Sequence, residues 1–178
     1  MITEAEFESI YQSHKNMVYN LCLHYVQNTT EAQDITQESF IKIFNRYDQY
    51  DATKGTIKSW ISGITVHQCL DYLKSKKTKK RFGLILSLFQ SSSYESVHQL
   101  SDFDHPGVIL ENKTEVEHLF MLIRTLPDHQ KTALILNKIE DRPVKEVAEI
   151  MNITSKAVES LLQRAKQNLS KKISLSEG

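Results

Sequence analysis

The sequence predicts an all-α protein made of two small helical domains joined by a flexible linker. Three observations carry that expectation. Five Gly and three Pro in 178 residues leave few places to interrupt a helix. Apolar residues recur at steps of three and four over long stretches near both ends of the chain, the pattern of a helix that buries one face. Between those stretches, residues 82–112 lose the pattern and hold Ser91, Ser92, Ser93, Pro106 and Gly107.

The first helix is expected over residues 4–27, where Phe7, Ile10, Tyr11, His14, Met17, Val18, Leu21, Cys22, Tyr25 and Val26 form one stripe. Asn28, Thr29 and Thr30 break it. Thr30 is the expected cap of a second helix over residues 31–47, with Glu31 and Asp34 at its positive dipole end. The buried stripe of that helix is expected to be Ile35, Phe40, Ile41 and Phe44. Residues 48–55 are polar and read as a loop. A third helix over residues 56–77 turns Ile57, Trp60, Ile61, Ile64, Leu70 and Leu73 inward, and the three helices close a first domain at 1–81.

Residues 82–112 are expected to be an acidic linker, with room for short helices at its ends. From residue 113 the helical period returns through Val116, Leu119, Phe120, Leu122 and Ile123 and stops at Leu126, because Pro127 disfavours helix in the residue before it. It resumes over residues 128–139. A short helix then starts at Pro143 and buries Val144, Val147, Ala148 and Met151. Asn152 suits a left-handed turn, Ile153 plugs the core, and Thr154 caps a last helix with Val158, Leu161, Leu162, Ala165 and Leu169 on one side. Lys156, Glu159, Ser160, Gln163 and Gln167 then face outward. That pattern is a helix-turn-helix, whose second helix enters the major groove of DNA. The plain alternative is an αα-hairpin without a ligand. The second domain is placed at 113–178.

The formal net charge of zero hides a segregated distribution. Residues 1–51 hold three basic and eight acidic side chains, whereas residues 52–81 hold eight basic side chains and one acidic, Asp71. The basic run at 74–81 follows a helix bearing Trp60, and DNA binding needs both cations for phosphate and flat groups for bases. A solvated helix end, where cations meet the negative dipole, is the bland reading of the same run.

Several classes find no support. Cys22 and Cys69 lie near His24 and His67, but these pairs supply neither a disulfide framework nor a four-ligand metal site, and no cofactor is expected. The seven His are scattered, and no phosphate-cradling Gly loop or nucleophile elbow occurs, so the chain is not expected to be an enzyme. The first ten residues are acidic and polar where a secretory signal would be basic and then apolar. The apolar FGLILSLF at 82–89 is too short to span a bilayer. A cytoplasmic protein without membrane insertion is therefore expected.

Three segments in order, EAQDITQESFIKIF at 31–44, KSWISGITVHQCLDYLKSKK at 58–77 and LPDHQKTALILNKIEDRPVKEVAEIM at 126–151, resemble the extracytoplasmic-function (ECF) subfamily of the sigma-70 family of RNA polymerase sigma factors. The resemblance implies promoter-specific transcription initiation with core RNA polymerase and promoter DNA as partners. It places Asp34, Gln37, Glu38 and Phe40 against polymerase. It places Tyr50, Lys54, Lys58, Trp60, His67, Lys74, Lys76 and Lys77 along the minus-ten element. Lys156, Glu159, Ser160, Gln163 and Arg164 then meet the minus-thirty-five element. His67 stands where the family usually carries Asn, and Glu159 where many relatives carry Lys or Arg, so base preference should differ at both places. The resemblance implies that the acidic linker threads polymerase channels, and it allows an anti-sigma partner that no residue identifies. The competing expectation is a stand-alone helix-turn-helix regulator whose N-terminal bundle senses a ligand or dimerises.

Overall fold

A computed structural model describes residues 2–89 and 113–176, and among them the protein is all-α, without a strand. Helix α1 (Glu4–Val26) starts at a reciprocal cap in which the Glu6 amide donates to Thr3 Oγ1 at 3.3 Å and the Thr3 amide donates to Glu6 Oε2 at 2.9 Å. It ends where Gln27 turns left-handed (φ 55°) and its amide returns to the Leu23 carbonyl. The first half of α1 is amphipathic. Its last turns are not: Leu21 to Val26 are buried on every side, including Leu23 and His24, which the stripe reading left outside. A helix end that is apolar all round belongs in an interior, and here a second layer of helices covers it.

Helix α2 (Thr29–Arg46) is capped by Asn28 and not by Thr30: Asn28 is extended (φ −145°) and its side chain accepts from the Glu31 amide at 2.9 Å, while Thr29 and Thr30 are already helical. The buried face is Ala32, Ile35, Ser39, Phe40 and Ile43. Ser39 lies within it because its hydroxyl donates to the Ile35 carbonyl at 2.7 Å. Ile41 and Phe44, expected in the core, are 60% and 46% exposed. Phe44 comes nine residues after Ile35, about half a turn out of phase at 3.6 residues per turn.

A 3₁₀ turn (Tyr47–Gln49) and a tight loop lead to α3 (Ile57–Phe89), capped by Thr56 Oγ1, which accepts from the Ser59 amide at 3.1 Å. Helix α3 runs twelve residues beyond its expected end at Lys77. Its extension holds no Pro, and its single Gly83 weakens a helix without ending it. The rest of the expected linker, with Glu95, Asp102, Asp104 and Glu111, lies outside the described residues.

Helix α4 (Lys113–Arg124) stops before Pro127, and α5 (Asp128–Leu134) continues as a π-helical turn (Ile135–Ile139) in which the Glu140 amide reaches the Ile135 carbonyl at 2.9 Å. Helix α6 (Val144–Met151) and α7 (Ser155–Ser176) form the hairpin. Helices α1, α2 and α3 pack on one another; α5 and α6 each pack on α7. The core is nevertheless continuous, from Val18, Tyr25 and Ile61 across to Phe120, Ile135 and Val147. The two helical groups therefore lie against each other, with α6 packed on α3.

Candidate nucleic-acid interface

The loop between α2 and α3 is folded by its own polar groups. Tyr50 donates its hydroxyl to the Gly55 carbonyl at 3.2 Å, and Asp51 accepts from the Thr53 amide (3.0 Å) and hydroxyl (2.6 Å). Those bonds from Thr53, and then Lys54 at 3.3 Å, hold the Asp51 carboxyl below its ordinary range. The loop thereby brings Tyr50 beside Trp60, with ring centroids 5.5 Å apart, and Tyr47 meets Trp60 edge-on at 6.4 Å. Aromatic rings presented in this way at a surface are a stacking platform for bases.

Tyr50, Lys54, Trp60 and His67 line one open cavity of about 530 Å³, together with Lys42 and Arg46, which sequence reasoning missed. Both belong to α2, and only the fold of the loop brings that helix end to the cavity. His67 is exposed, and its Nδ1 lies 2.7 Å from the Gly63 carbonyl. A neutral ring that donates from Nδ1 there offers Nε2 outward as an acceptor, whereas Asn would offer a donor and an acceptor. Glu149 and Ile150 of α6 and its capping residue Asn152 close one side of the cavity.

Lys58, Lys74, Lys76 and Lys77 are exposed but do not line this cavity. Successive residues on a helix point about 100° apart, so the basic run winds round α3 and forms no single face. Lys76 is paired with Glu31 of α2.

On α2, Asp34, Gln37 and Glu38 are exposed. Glu38 accepts from Gln68 of α3, and Tyr72 beside it is pushed up to about 12, first by loss of solvent and then by Glu31, Asp34 and Glu38. Phe40 does not project: it is 4% exposed and meets Tyr11 edge-on at 4.8 Å. It forms the floor of a shallow groove of about 440 Å³ whose exposed apolar groups are Ile41 and Phe44, flanked by Phe7, Tyr11 and Gln37.

In the hairpin, Asn152 is left-handed (φ 53°), the Ile153 amide donates to the Ala148 carbonyl at 3.0 Å, and Thr154 Oγ1 accepts from the Ala157 amide at 3.2 Å. Val158 and Ala165 are buried on the inner face of α7. Lys156, Glu159, Gln163 and Arg164 are exposed and Ser160 is partly buried, all within one strip at helical spacing. Among the described residues no cluster of His, Cys, Asp or Glu is suited to a metal ion, and no helix is long and apolar enough to cross a membrane.

The described residues thus form two packed helical groups, with a helix-turn-helix in the second. Residues 10–79 match the family described as Sigma-70 region 2, and residues 118–169 match Sigma-70, region 4. The chain is 30% identical over 164 residues to the ECF RNA polymerase sigma factor SigM of Bacillus subtilis, covering 91% of each. It is 26% identical over 171 residues to SigW of the same organism, covering 94% of this chain and 88% of that one. Two solved structures share the fold. CnrH in complex with the cytosolic domain of CnrY superposes with a TM-score of 0.63 at 16% identity, over 97% of this chain and 90% of that one. The sigma factor RpoE bound to the anti-sigma factor NepR from Bartonella quintana gives 0.61 at 15% identity, over 94% and 96%. The chain belongs to the ECF RNA polymerase sigma factors.

Proposed function

We propose that this sigma factor docks on core RNA polymerase through α2 and directs initiation at promoters that it reads in two places. The observation that carries this reading is the gathering of Tyr50, Lys54, Trp60 and His67 with Lys42 and Arg46 in one aromatic and basic cavity. Cations there hold phosphates, the rings receive an unstacked base, and Nε2 of His67 accepts a bond from it. Lys58, Lys74 and Lys77 add phosphate contacts along α3. The outward strip of α7 reads the minus-thirty-five element in the major groove. Glu159 suits a cytosine amino group and repels phosphate, so this helix adds selectivity more than affinity. Tethering by polymerase supplies the missing affinity. The functional division is 1–81 for polymerase and minus-ten contacts, 82–112 for the link and 113–178 for minus-thirty-five contacts. No chemical step is assigned to the chain, and it acts in the cytoplasm, where polymerase and promoters are.

Asp34, Gln37 and Glu38 beside the groove of Ile41 and Phe44 give α2 an acidic rim around an apolar centre, the usual anatomy of a protein interface. An anti-sigma partner that covered this groove would compete with polymerase. In a pull-down with purified core polymerase, Ile41→Asp combined with Phe44→Asp should weaken binding at least tenfold, because both side chains are already exposed and their loss leaves the core intact. Full affinity in the double variant would remove this face from the interface.

A further inference from the structure

Gln68 of α3 is only 7% exposed, and half of its amide has no partner. Its Nε2 donates to Glu38 Oε2 of α2, whereas its buried Oε1 accepts no hydrogen bond among the described residues. Turning the amide over does not cure this, because Oε1 would then face the Glu38 carboxylate, an acceptor when ionised. A buried acceptor without a donor costs stability that an apolar side chain of the same length would not cost, so such a group in a folded protein calls for a reason. The last torsion of a glutamine is broad, and a small turn brings Oε1 forward while Nε2 keeps Glu38.

Gln68 lines an open pocket of about 450 Å³ between α2 and α3, together with Glu38, Asp71, Lys42, Lys76 and Lys79. Asp71 is exposed and has no cation of its own among the described residues, whereas Lys76 is held by Glu31. Tyr72 on the same wall holds its proton more tightly than usual, first through lost solvent and then through Glu31, Asp34 and Glu38. The field there is therefore negative in spite of the lysines. A DNA strand fits this poorly: a base amino group can donate to Gln68, but its phosphates would meet Glu38 and Asp71. A guanidinium fits better. Its planar fork of N–H donors can give one hydrogen bond to Oε1 and pair with a carboxylate beside it, and it sheds water more readily than an ammonium does.

We propose that this pocket receives an arginine side chain of core RNA polymerase, held by Gln68, Asp71 and Glu38, so that α3 as well as α2 meets the polymerase. The proposal rests on the reading of α2 as the polymerase face, since Glu38 belongs to both. It gives Gln68, which no charge pattern marks, a place in the interface, and it explains why a buried amide keeps an acceptor that folding does not use.

Titration of the full chain with purified core polymerase tests it. Gln68→Met keeps the length of the side chain and removes its polar atoms, so Tm should stay or rise while affinity for polymerase falls about fivefold or more. Ser75→Arg is an independent second variant: Ser75 is exposed and lines the pocket, and an arginine there fills it from within the chain. It should weaken polymerase binding to a similar degree, whereas Ser75→Gln, nearly as long but uncharged, should not. A lower Tm with unchanged affinity in Gln68→Met would make Gln68 a structural residue and overturn the proposal. So would full affinity in Ser75→Arg. Quenching of Trp60, the single tryptophan, by a random single-stranded DNA reports the other occupant: variants that lose DNA binding and keep polymerase binding would assign the pocket to DNA and overturn the proposal. Full affinity of Gln68→Met beside a weakened Ile41→Asp, Phe44→Asp double variant would overturn the pocket and keep the α2 reading. Full affinity in all of them would overturn both.

Discussion

Lys131 is 1% exposed, which no pattern in the sequence distinguishes from the exposed lysines around it. Its ammonium reaches Asp128 at 3.5 Å, and burial pulls its proton affinity below the ordinary lysine value, opposed by Asp128 and reinforced by Lys77 and Arg124. A lysine whose folded pKa is depressed binds its proton less tightly in the folded state than in the unfolded one. The cost to stability is therefore complete below the folded pKa and disappears as pH rises towards the unfolded value. Replacing such a group by an apolar one of similar length is neutral or favourable. Lys131→Met should leave stability to urea unchanged at pH 7 or raise it by about 1 kcal/mol, and a loss of about 2 kcal/mol or more would contradict the account. The outward residues of α7 were legible because a polar strip opposite Val158 and Ala165 has only one place to point. Phe40 and Phe44 were not: two aromatic residues four apart share one stripe in sequence, and only the packing of Phe7 and Tyr11 decides which is covered.

At the scale of elements, helix existence was legible throughout and helix ends were not. Runs of apolar residues at steps of three and four place α1, α2, α6 and α7, but the start of α2 depends on which of three adjacent polar residues adopts an extended backbone. Asn28 does, so Asn28→Ala should cost about 1 kcal/mol in thermal or urea unfolding, whereas Thr30→Ala should cost little. The opposite ranking would restore Thr30 as the cap. The length of α3 was misread for a different reason: its lysines looked like a terminus because cations favour helix ends, yet charge alone does not stop a helix that meets no proline. The π-helical turn after α5, with Ile135 and Leu136 buried in it, was invisible, since no residue pattern distinguishes it from the α-helix before it. That Tyr50, Lys54, Trp60 and His67 line one cavity with Lys42 and Arg46 was not legible in any periodicity, because the tertiary fold brings the end of α2 to the loop.

At the scale of the molecule, charge is segregated along the chain. The acidic first third presents α2, the basic stretch that follows supplies α3, and a net charge of zero conceals both. The two-domain plan was legible from the loss of helical period past residue 81, but the packing of one domain on the other was not. A linker of that length permits open and closed forms alike. What closes the pair is an apolar surface that continues all round the end of α1, read in the sequence as a single stripe. The central claim is that this chain gives polymerase its promoter choice. The most direct measurement is in-vitro transcription by purified core RNA polymerase on fragments of the source genome, with and without this protein. The account predicts new start sites, present only with the protein and sharing paired upstream motifs. Specific duplex binding at full affinity without polymerase, together with no new start sites, would contradict it and return the chain to a stand-alone regulator.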